Sequence, residues 1–196
     1  QIYFIFNANY NISNSNNIQN IKFADCIIAT GSRAISLPNI IVDHQYILNS
    51  TSALNLQKIP KNMLIVGGGY IGLEMGSAYH ALGSKITVVE FMPNILAAAD
   101  QDLVKPLYRK LKKSFKSIYL STKVISTNIK DNSVEVVFKS EDDTKFIENF
   151  ESVLISVGRK PNTDNLDLEN IGISLSKDGF IPVNNARQTN IPNIYA

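Results

Sequence analysis

Residues 63–90 read MLIVGGGYIGLEMGSAYHALGSKITVVE, and this stretch decides the fold. The apolar run Met63 to Val66 predicts a buried strand, and the glycine cluster after it predicts a tight turn. The pattern from Tyr70 to Leu82 predicts a helix, which Gly83 would end. A second apolar, β-branched run, Ile86 to Glu90, predicts a parallel strand of the same buried kind. Together these elements make a βαβ unit of about 30 residues.

The turn of this unit has the spacing Gly67-x-Gly69-x-x-Gly72. The first glycine permits the tight turn, the second lets the backbone approach a pyrophosphate, and the third lets the helix pack closely. The helix N-terminus adds free N–H groups and a partial positive charge. Glu90, about 20 residues further on, can accept hydrogen bonds from ribose hydroxyls. The pattern predicts a dinucleotide site, the alternative being a glycine-rich turn that binds no ligand.

Glu90 also indicates which nucleotide is bound. Its carboxylate would repel the 2′-phosphate of NADP, and the residues after it, Phe91, Met92 and Pro93, supply no arginine. NAD is therefore the predicted cofactor. The alternative is that Glu90 is only a solvated charge at the end of a strand.

The remaining pattern extends this unit into a larger domain. A helix is predicted from Asp100 to Phe115. Alternating or buried β-branched runs follow and predict strands at Thr122–Thr127, Ser133–Phe138, Lys145–Phe150 and Ser152–Val157, with Glu141-Asp142-Asp143 as the turn of the last hairpin. The predicted fold class is α/β, a Rossmann-like domain with a parallel sheet, helices and an antiparallel β-meander.

Weaker signals border this domain. They predict a strand at 1–7, a polar loop or hairpin turn at 11–20, an apolar run at 23–29, a candidate domain boundary at 37–39, short helices at 52–56 and 166–170, and a strand at 194–196. No signal peptide is predicted, so the expected location is the bacterial cytoplasm or an organelle matrix.

Composition gives little support to other function classes. The net charge of +2 over 196 residues gives no argument for binding nucleic acid or an anionic membrane. The single cysteine, Cys26, excludes an internal disulfide and is expected to be a small buried hydrophobe. His44 is predicted in a loop and His80 on a helix, too far apart to indicate a zinc site. Lys110 to Lys113 are expected at a solvated helix end. No catalytic arrangement and no metal ligand is predicted.

Three segments occur in order at separations typical of one family: IATGS at 28–32, VGGGYIGLE at 66–74 and VGRKPN at 157–162. The chain thereby resembles the pyridine nucleotide–disulfide oxidoreductases, and within them the dihydrolipoamide dehydrogenases, the E3 component of 2-oxo acid dehydrogenase complexes. The segments YHALGS at 79–84 and DGFIPV at 178–183 support this closer match.

The resemblance implies a domain plan. Members of the family have an FAD domain, an NAD domain inserted into it, and a C-terminal dimerisation domain. By this plan residues 1–37 are a partial FAD-domain segment, 38–160 are the NAD-binding domain, and 161–196 are the truncated return of the FAD domain. The NAD domain is thus expected to be flanked by incomplete pieces of an FAD-binding domain.

The resemblance also implies cofactor-binding residues. Thr30, Gly31 and Ser32 match the segment that contacts FAD. Tyr70 matches a side chain that covers the flavin, and Glu74 matches a glutamate that pairs with a lysine beside the redox disulfide. The positions implied to line NAD are Gly67, Gly68, Gly69, Tyr70, Ile71, Gly72, Leu73, Glu74, Glu90, Val124 and Gly158.

The resemblance implies an activity of a longer parent protein, in which electrons pass from dihydrolipoamide to a redox disulfide and through FAD to NAD. This sequence contains no second glycine motif for FAD, no Cys-x4-Cys pair and no C-terminal His-Glu pair. The chain alone is expected to bind NAD(H) without turnover. The partners implied for the parent are lipoyl domains, the 2-oxo acid dehydrogenase complex and a homodimer partner, with no nucleic acid or membrane.

Two alternatives remain open. The chain could derive from another FAD- and NAD-dependent reductase, such as an NADH oxidase or a mercuric reductase, and the disulfide region of the parent would distinguish these. It could also be a stand-alone NAD-binding module without catalysis, which the complete reading frame would reveal.

Overall fold

The computed structural model describes residues 10–14, 17–55 and 58–196. The strand predicted at 1–7 therefore lies outside the described residues, as does Leu56 at the end of a predicted helix. No helix within the described residues is long and apolar enough to cross a membrane.

The helices and strands are short and numerous. In chain order the strands are β1 Tyr10–Asn14, β2 Asn17–Ile21, β3 Cys26–Ile27, β4 Ser32–Ala34, β5 Ile47–Asn49, β6 Asn62–Val66, β7 Lys85–Val89, β8 Ser117–Tyr119, β9 Lys123–Lys130, β10 Ser133–Lys139, β11 Lys145–Phe150, β12 Ser152–Ile155, β13 Arg159–Pro161 and β14 Ile194–Tyr195. The α-helices are α1 Tyr70–Ala81 and α2 Gln101–Ser114, and single 3-10 turns occupy Ser52–Asn55 and Leu168–Ile171.

The chain divides into two compact units. The larger unit contains residues 34–158, and the smaller contains residues 159–196 together with the chain up to Arg33. Each unit has its own buried apolar side chains.

The larger unit is built on a parallel sheet in the order β5-β12-β6-β7-β8. Leu64, Val88 and Val153, on the three inner strands, are 0% exposed. Strands covered on both faces are continuous apolar runs rather than alternating ones, which is why these segments were recognisable in the sequence. The predicted α/β architecture is confirmed.

Helix α1 packs on one face of this sheet through Leu73 and Tyr79, which belong to a core cluster with Ile65 and Ile86. The helix ends at Ala81, and Gly83, the predicted stop, follows the C-cap residue Leu82 with a φ of +100°, which continues no helix. At the other end, the first residue of α1, Tyr70, immediately follows the glycine loop.

The antiparallel meander β9-β10-β11 covers the other face of the sheet. Along β10 the buried residues Val134, Val136 and Phe138 alternate with half-buried ones. They pack in a second cluster with Phe150 and with sheet residues such as Leu64. The predicted meander is confirmed. Its buried face covers this side of the parallel sheet, which would otherwise be exposed to water.

Helix α2 is amphipathic and runs from Gln101 to Ser114. Val104 and Leu111 are buried against the first cluster. Lys112 and Lys113 occupy the last turn, where positive charge is favourable to the helix dipole. The lysine cluster is therefore at a helix end, as predicted.

The smaller unit contains the antiparallel hairpin β1-β2 and two short strand pairs, β3-β14 and β4-β13. Its core contains Phe23, Cys26, Leu168, Ile173 and Ile194. The parallel pairing of Cys26 with Ile194 joins residues distant in the sequence, so both segments are needed for this core.

Several local predictions differ from the structure. The stretch at 11–20, predicted as a polar loop or hairpin turn, does lie in an antiparallel hairpin, but most of it is strand, because strand pairing overrides the turn preference of Asn and Ser. The predicted helices at 52–56 and 166–170 are single 3-10 turns. The strand predicted to end at Thr127 continues to Lys130, because its partner β10 remains paired with it to Ser133.

Glu148 on β11 links the meander to the edge of the parallel sheet. Its carboxylate accepts a hydrogen bond from the Tyr119 hydroxyl at 2.5 Å and one from Lys116 Nζ at 2.9 Å. Burial by itself would raise the pKa of Glu148, but the hydrogen bonds from Tyr119 and Lys116 and the charge of Lys116 outweigh it and lower the pKa. Burial and the same carboxylate raise the pKa of Tyr119.

The glycines of α1 provide a matched test of the packing. A Cβ on Gly72 would meet Ser156 Oγ at 2.6 Å and Ile65 Cγ2 at 2.9 Å, whereas a Cβ on Gly76 would meet nothing closer than 3.4 Å. We expect Gly72→Ala to lower the free energy of unfolding by about 1–3 kcal/mol through overpacking. We expect Gly76→Ala to leave it unchanged or raise it by up to about 1 kcal/mol, because alanine favours a helix. Urea titration of both variants measures this difference, and equal effects would contradict the close packing at Gly72.

The pKa of Glu148 predicts how stability depends on pH. Because the folded pKa lies below the ordinary value of about 4.3, the stabilisation is complete above that pH and is lost as the pH falls through the folded pKa. We expect Glu148→Gln to destabilise the chain at pH 7, and the difference from the wild type to shrink at pH 3. Urea midpoints at both pH values measure it, with Glu141→Gln, at an exposed turn, as the control. A difference that is constant with pH would contradict this role of Glu148.

Candidate functional site

The glycine loop lies at the carboxyl end of β6, between the sheet and α1. Gly67 has φ +106°, and a Cβ there would lie 2.5 Å from the carbonyl oxygen of Ser156. The N–H of Gly67 donates to the carbonyl of Val89 at 2.8 Å. Only glycine satisfies both the backbone angle and the space at this position.

The carboxylate of Glu90 closes the loop from the neighbouring strand. Glu90 Oε2 accepts a hydrogen bond from the N–H of Gly68 at 2.6 Å, and Oε1 accepts one from the N–H of Met92 at 2.7 Å. Gly68 is held further because its carbonyl accepts a hydrogen bond from the N–H of Leu96 at 2.9 Å. A carboxylate offers about four lone-pair positions, so each oxygen of Glu90 keeps one for a ligand hydroxyl.

The N-terminus of α1 is open. Gly69 is the N-cap residue, and no side chain caps the helix there. A Cβ placed on Gly69 would meet no atom within 4 Å, so there is free space directly in front of the first turn. Uncapped N–H groups and the helix dipole favour an anion at this position. The loop therefore fits a phosphate group. Glu90 lies at the end of the second strand of the same βαβ unit, so the unit also fixes where this carboxylate lies relative to the loop.

Gly72 and Ser156 bring the loop, the helix and β12 together. The Ser156 hydroxyl donates to the carbonyl of Val66 at 2.9 Å and lies 3.3 Å from that of Gly67. A side chain at Gly72 would collide with this hydroxyl. Ser156 is a residue that sequence reasoning missed, because a serine at the end of an apolar run gives no signal of its own.

The other predicted residues of α1 differ in exposure. Tyr70 is 64% exposed and Glu74 is exposed one helical turn later. Within the described residues neither side chain makes a hydrogen bond or an ion pair, so both are free to contact a ligand. Ile71 is half-buried, whereas Leu73 is 4% exposed and packs in the core. The predicted cofactor residue Leu73 thus contributes to the packing of the helix.

Val124 and Gly158 belong to the same unit as the loop. Val124 is half-buried against the second core cluster. Gly158 is exposed, has φ +130°, and its carbonyl accepts a hydrogen bond from the N–H of Ile35 at 3.0 Å. Both remain predicted nucleotide contacts.

Thr30, Gly31 and Ser32 lie in the smaller unit and are held by the VGRKPN segment. Asn162 donates from Nδ2 to the Thr30 carbonyl at 3.0 Å and from its N–H to the Gly31 carbonyl at 2.9 Å. Arg159 Nε donates to Ser32 Oγ at 2.7 Å. Two of the three motifs that carry the resemblance are therefore in direct contact.

Cys26, His80 and His44, for which the sequence predicts structural rather than catalytic roles, lie in environments that agree with those roles. Cys26 is 6% exposed, and burial raises the pKa of its thiol, which disfavours the reactive thiolate. His80 is exposed and packs edge-on against Phe115, with ring centroids 5.9 Å apart. His44 is exposed in a loop. Among the described residues no group of three or more His, Cys, Asp or Glu side chains could hold a metal ion.

Comparison with known proteins defines the class. Residues 5–196 match the family described as pyridine nucleotide-disulphide oxidoreductase. The chain belongs to this family, so the resemblance carried by its three motifs is confirmed.

Within the family, curated relatives are named dihydrolipoyl dehydrogenase. The protein of Vibrio parahaemolyticus is 40% identical over 176 residues, which is 90% of this chain and 37% of that protein. The mitochondrial protein of Dictyostelium discoideum is 41% identical over 186 residues, which is 93% of this chain and 38% of that protein. The chain therefore spans about two fifths of the length of these relatives.

Two solved structures share the fold. The Cu(II) complex of the HOCl-induced flavoprotein disulfide reductase RclA from Escherichia coli has a TM-score of 0.83 and 29% identity, and covers 100% of this chain and 43% of its own. LpdA from Mycobacterium tuberculosis has a TM-score of 0.81 and 25% identity, and covers 91% of this chain and 38% of its own.

Proposed function

We propose that residues 38–160 form an NAD-binding domain, with NAD(H) bound between the glycine loop and Glu90. The observation that carries this proposal is the Glu90 carboxylate, fixed by the N–H groups of Gly68 and Met92 beside an uncapped helix. A carboxylate that accepts hydrogen bonds, at the end of the strand next to a helix N-terminus that favours anions, fits a ribose linked to a pyrophosphate.

The chain contributes binding and orientation. The first turn of α1 stabilises the negative charge of the pyrophosphate, and the open space at Gly69 lets the phosphates approach the backbone. The remaining lone pairs of Glu90 accept the two adenosine ribose hydroxyls. The exposed side chains of Tyr70 and Glu74 follow on the helix and are proposed to lie on the nicotinamide side.

We further propose that the whole protein is a dihydrolipoyl dehydrogenase, as its curated relatives are named. When bound, FAD would supply electron transfer between a redox disulfide and NAD. Residues 1–37 and 161–196 would be FAD-domain segments, and Thr30, Gly31 and Ser32 would contact FAD. The proposed partners are lipoyl domains, a 2-oxo acid dehydrogenase complex and a second copy of the protein.

The 196-residue chain is proposed to bind NAD(H) without oxidising dihydrolipoamide. Its one cysteine, Cys26, is buried in the core of the smaller unit and cannot form a disulfide within the chain. The sequence also has no second glycine loop for FAD, so the residues present do not make a complete flavin site.

A second candidate is a flavoprotein disulfide reductase that acts on another substrate. The similarity to RclA, which extends over the whole chain, favours this alternative. Both candidates use the same nucleotide loop. They differ in the substrate of the whole protein, which the residues surrounding its redox disulfide would define.

Gly69→Val tests the phosphate loop. The Gly69 backbone, at φ −77° and ψ 174°, accepts any residue, and the added side chain would project into free space. We therefore expect the free energy of unfolding to fall by no more than about 1 kcal/mol, the scale of an N-cap change. NADH binding measured by calorimetry should weaken at least tenfold, because the valine occupies the space proposed for the pyrophosphate.

The control for this variant is Ala78→Val, which places the same valine side chain at an exposed position about two and a half turns along α1. It should bind NADH like the wild type. If Gly69→Val also binds NADH normally, the pyrophosphate does not lie at this helix N-terminus.

Glu90→Ser tests the choice of nucleotide. Charge-assisted hydrogen bonds contribute about 1.5–3 kcal/mol each, so losing one should weaken NADH binding about tenfold or more. NADPH should lose less, because its 2′-phosphate no longer meets a carboxylate, and the NADH/NADPH affinity ratio should fall. Adding Phe91→Arg should reduce this ratio further by supplying a partner for the phosphate.

The matched control is Glu169→Ser, which removes an exposed acid from the smaller unit. It should leave both affinities unchanged at the same ionic strength. An affinity ratio that does not change in Glu90→Ser would show that Glu90 does not select the nucleotide.

A further inference from the structure

Three lysines lie side by side across the end of the meander. In the strand register Lys139 of β10 is directly opposite Lys123 of β9 and also opposite Lys145 of β11. Like charges directly opposite each other on a sheet are destabilising. This lysine row therefore needs a compensating charge nearby.

The turn between β10 and β11 supplies that charge. Asp143 Oδ1 lies 2.5 Å from Lys139 Nζ, and the Asp143 side chain is 79% exposed. The hydrogen bond from Lys139 and its charge, with a smaller effect of Lys123, lower the pKa of Asp143, which is therefore ionised at neutral pH. Asp142 has a different role, because its Oδ1 accepts hydrogen bonds from Ser140 Oγ at 2.7 Å and from the N–H of Thr144 at 3.1 Å.

Two lysines of the row, Lys123 and Lys139, lie beside the loop that follows Glu90. A cavity of about 440 Å³ is lined by Phe91, Met92 and Pro93 of this loop and by the charged residues Lys123, Lys139, Glu141 and Asp143. The N–H of Met92 is also the donor to Glu90 Oε1. If a ribose binds at Glu90 as proposed, this cavity is the adjacent space that a 2′-phosphate could enter.

We propose that Asp143 is a specificity-determining residue, which engages Lys139 and so withholds this lysine from the 2′-phosphate of NADP(H). This inference rests on the proposed binding of NAD(H) at Glu90. The lysines that line the cavity are charges that a phosphate would need, and Asp143 pairs with one of them, Lys139. Discrimination against NADP(H) then has two parts, repulsion by Glu90 and the loss of a cationic partner to Asp143.

The test is Asp143→Asn, which keeps the size of the side chain and tolerates the φ of +66° at this position. We expect NADPH to bind about two- to fivefold more tightly, the range of an exposed charge pair, with NADH affinity unchanged. The gain should shrink in about 1 M salt, where the screening length is ~3 Å. Calorimetric titration of the 196-residue chain with NADH and NADPH measures it, and thermal unfolding verifies that the variant is folded.

Two variants separate this effect from a general change of charge. Adding Lys139→Met to Asp143→Asn should abolish the gain, because the freed lysine is then absent. Asp131→Asn removes the same charge from the exposed turn at the opposite end of β10 and should change neither affinity.

The outcomes distinguish the two proposals. If the wild type binds NADH but Asp143→Asn leaves NADPH affinity unchanged, the role of Asp143 is wrong and the nucleotide site stands. If Asp131→Asn gives the same gain, the effect is one of net charge and the specific role is likewise wrong. If the wild type binds no NADH, the proposed function fails and this inference fails with it.

Discussion

The close approach of Gly72 to the Gly67 carbonyl and to Ser156 is the constraint on which the larger unit depends. Strands β6 and β12 and helix α1 meet at this point, so the absence of a side chain at Gly72 determines how near the helix lies to the sheet. The position of the first helical turn follows from that distance. Because the turn carries the free N–H groups, the same packing that stabilises the domain also positions the proposed anion site.

Glu90 adds a second constraint, which connects stability with binding. Its carboxylate holds the N–H groups of Gly68 and Met92, and hence the two loops on either side of the proposed ribose position. If Glu90 only bound a ligand, replacing it would leave the structure of the ligand-free loops unchanged. Because it also holds these two N–H groups, its replacement is expected to alter the loops themselves. Glu90 keeps its own acceptor geometry fixed before any ligand arrives, so little ordering remains to oppose binding.

The sequence was sufficient to predict the βαβ unit because that unit depends on long apolar runs and on glycines with steric roles. The end of α1 before Gly83 and the meander followed from equally direct patterns. The three-residue strands β5 and β8 gave no comparable signal, since an edge strand needs few apolar residues. Ser156 and the N–H of Met92 were also missed, because their roles come from tertiary contacts and not from residue type.

The arrangement of charges near the proposed nucleotide site could not be predicted from the sequence, because it depends on the register of the paired strands. Lys123 and Lys139 are 16 positions apart in the sequence, and their pairing depends on the irregularity between Val137 and Phe138, where the register of β9 and β10 shifts. A shift by one residue would put the lysines on different faces. The two aspartates at 142 and 143 look equivalent in the sequence, yet one completes the turn and the other engages Lys139. The electrostatic character of this edge therefore follows from strand register, which residue composition does not determine.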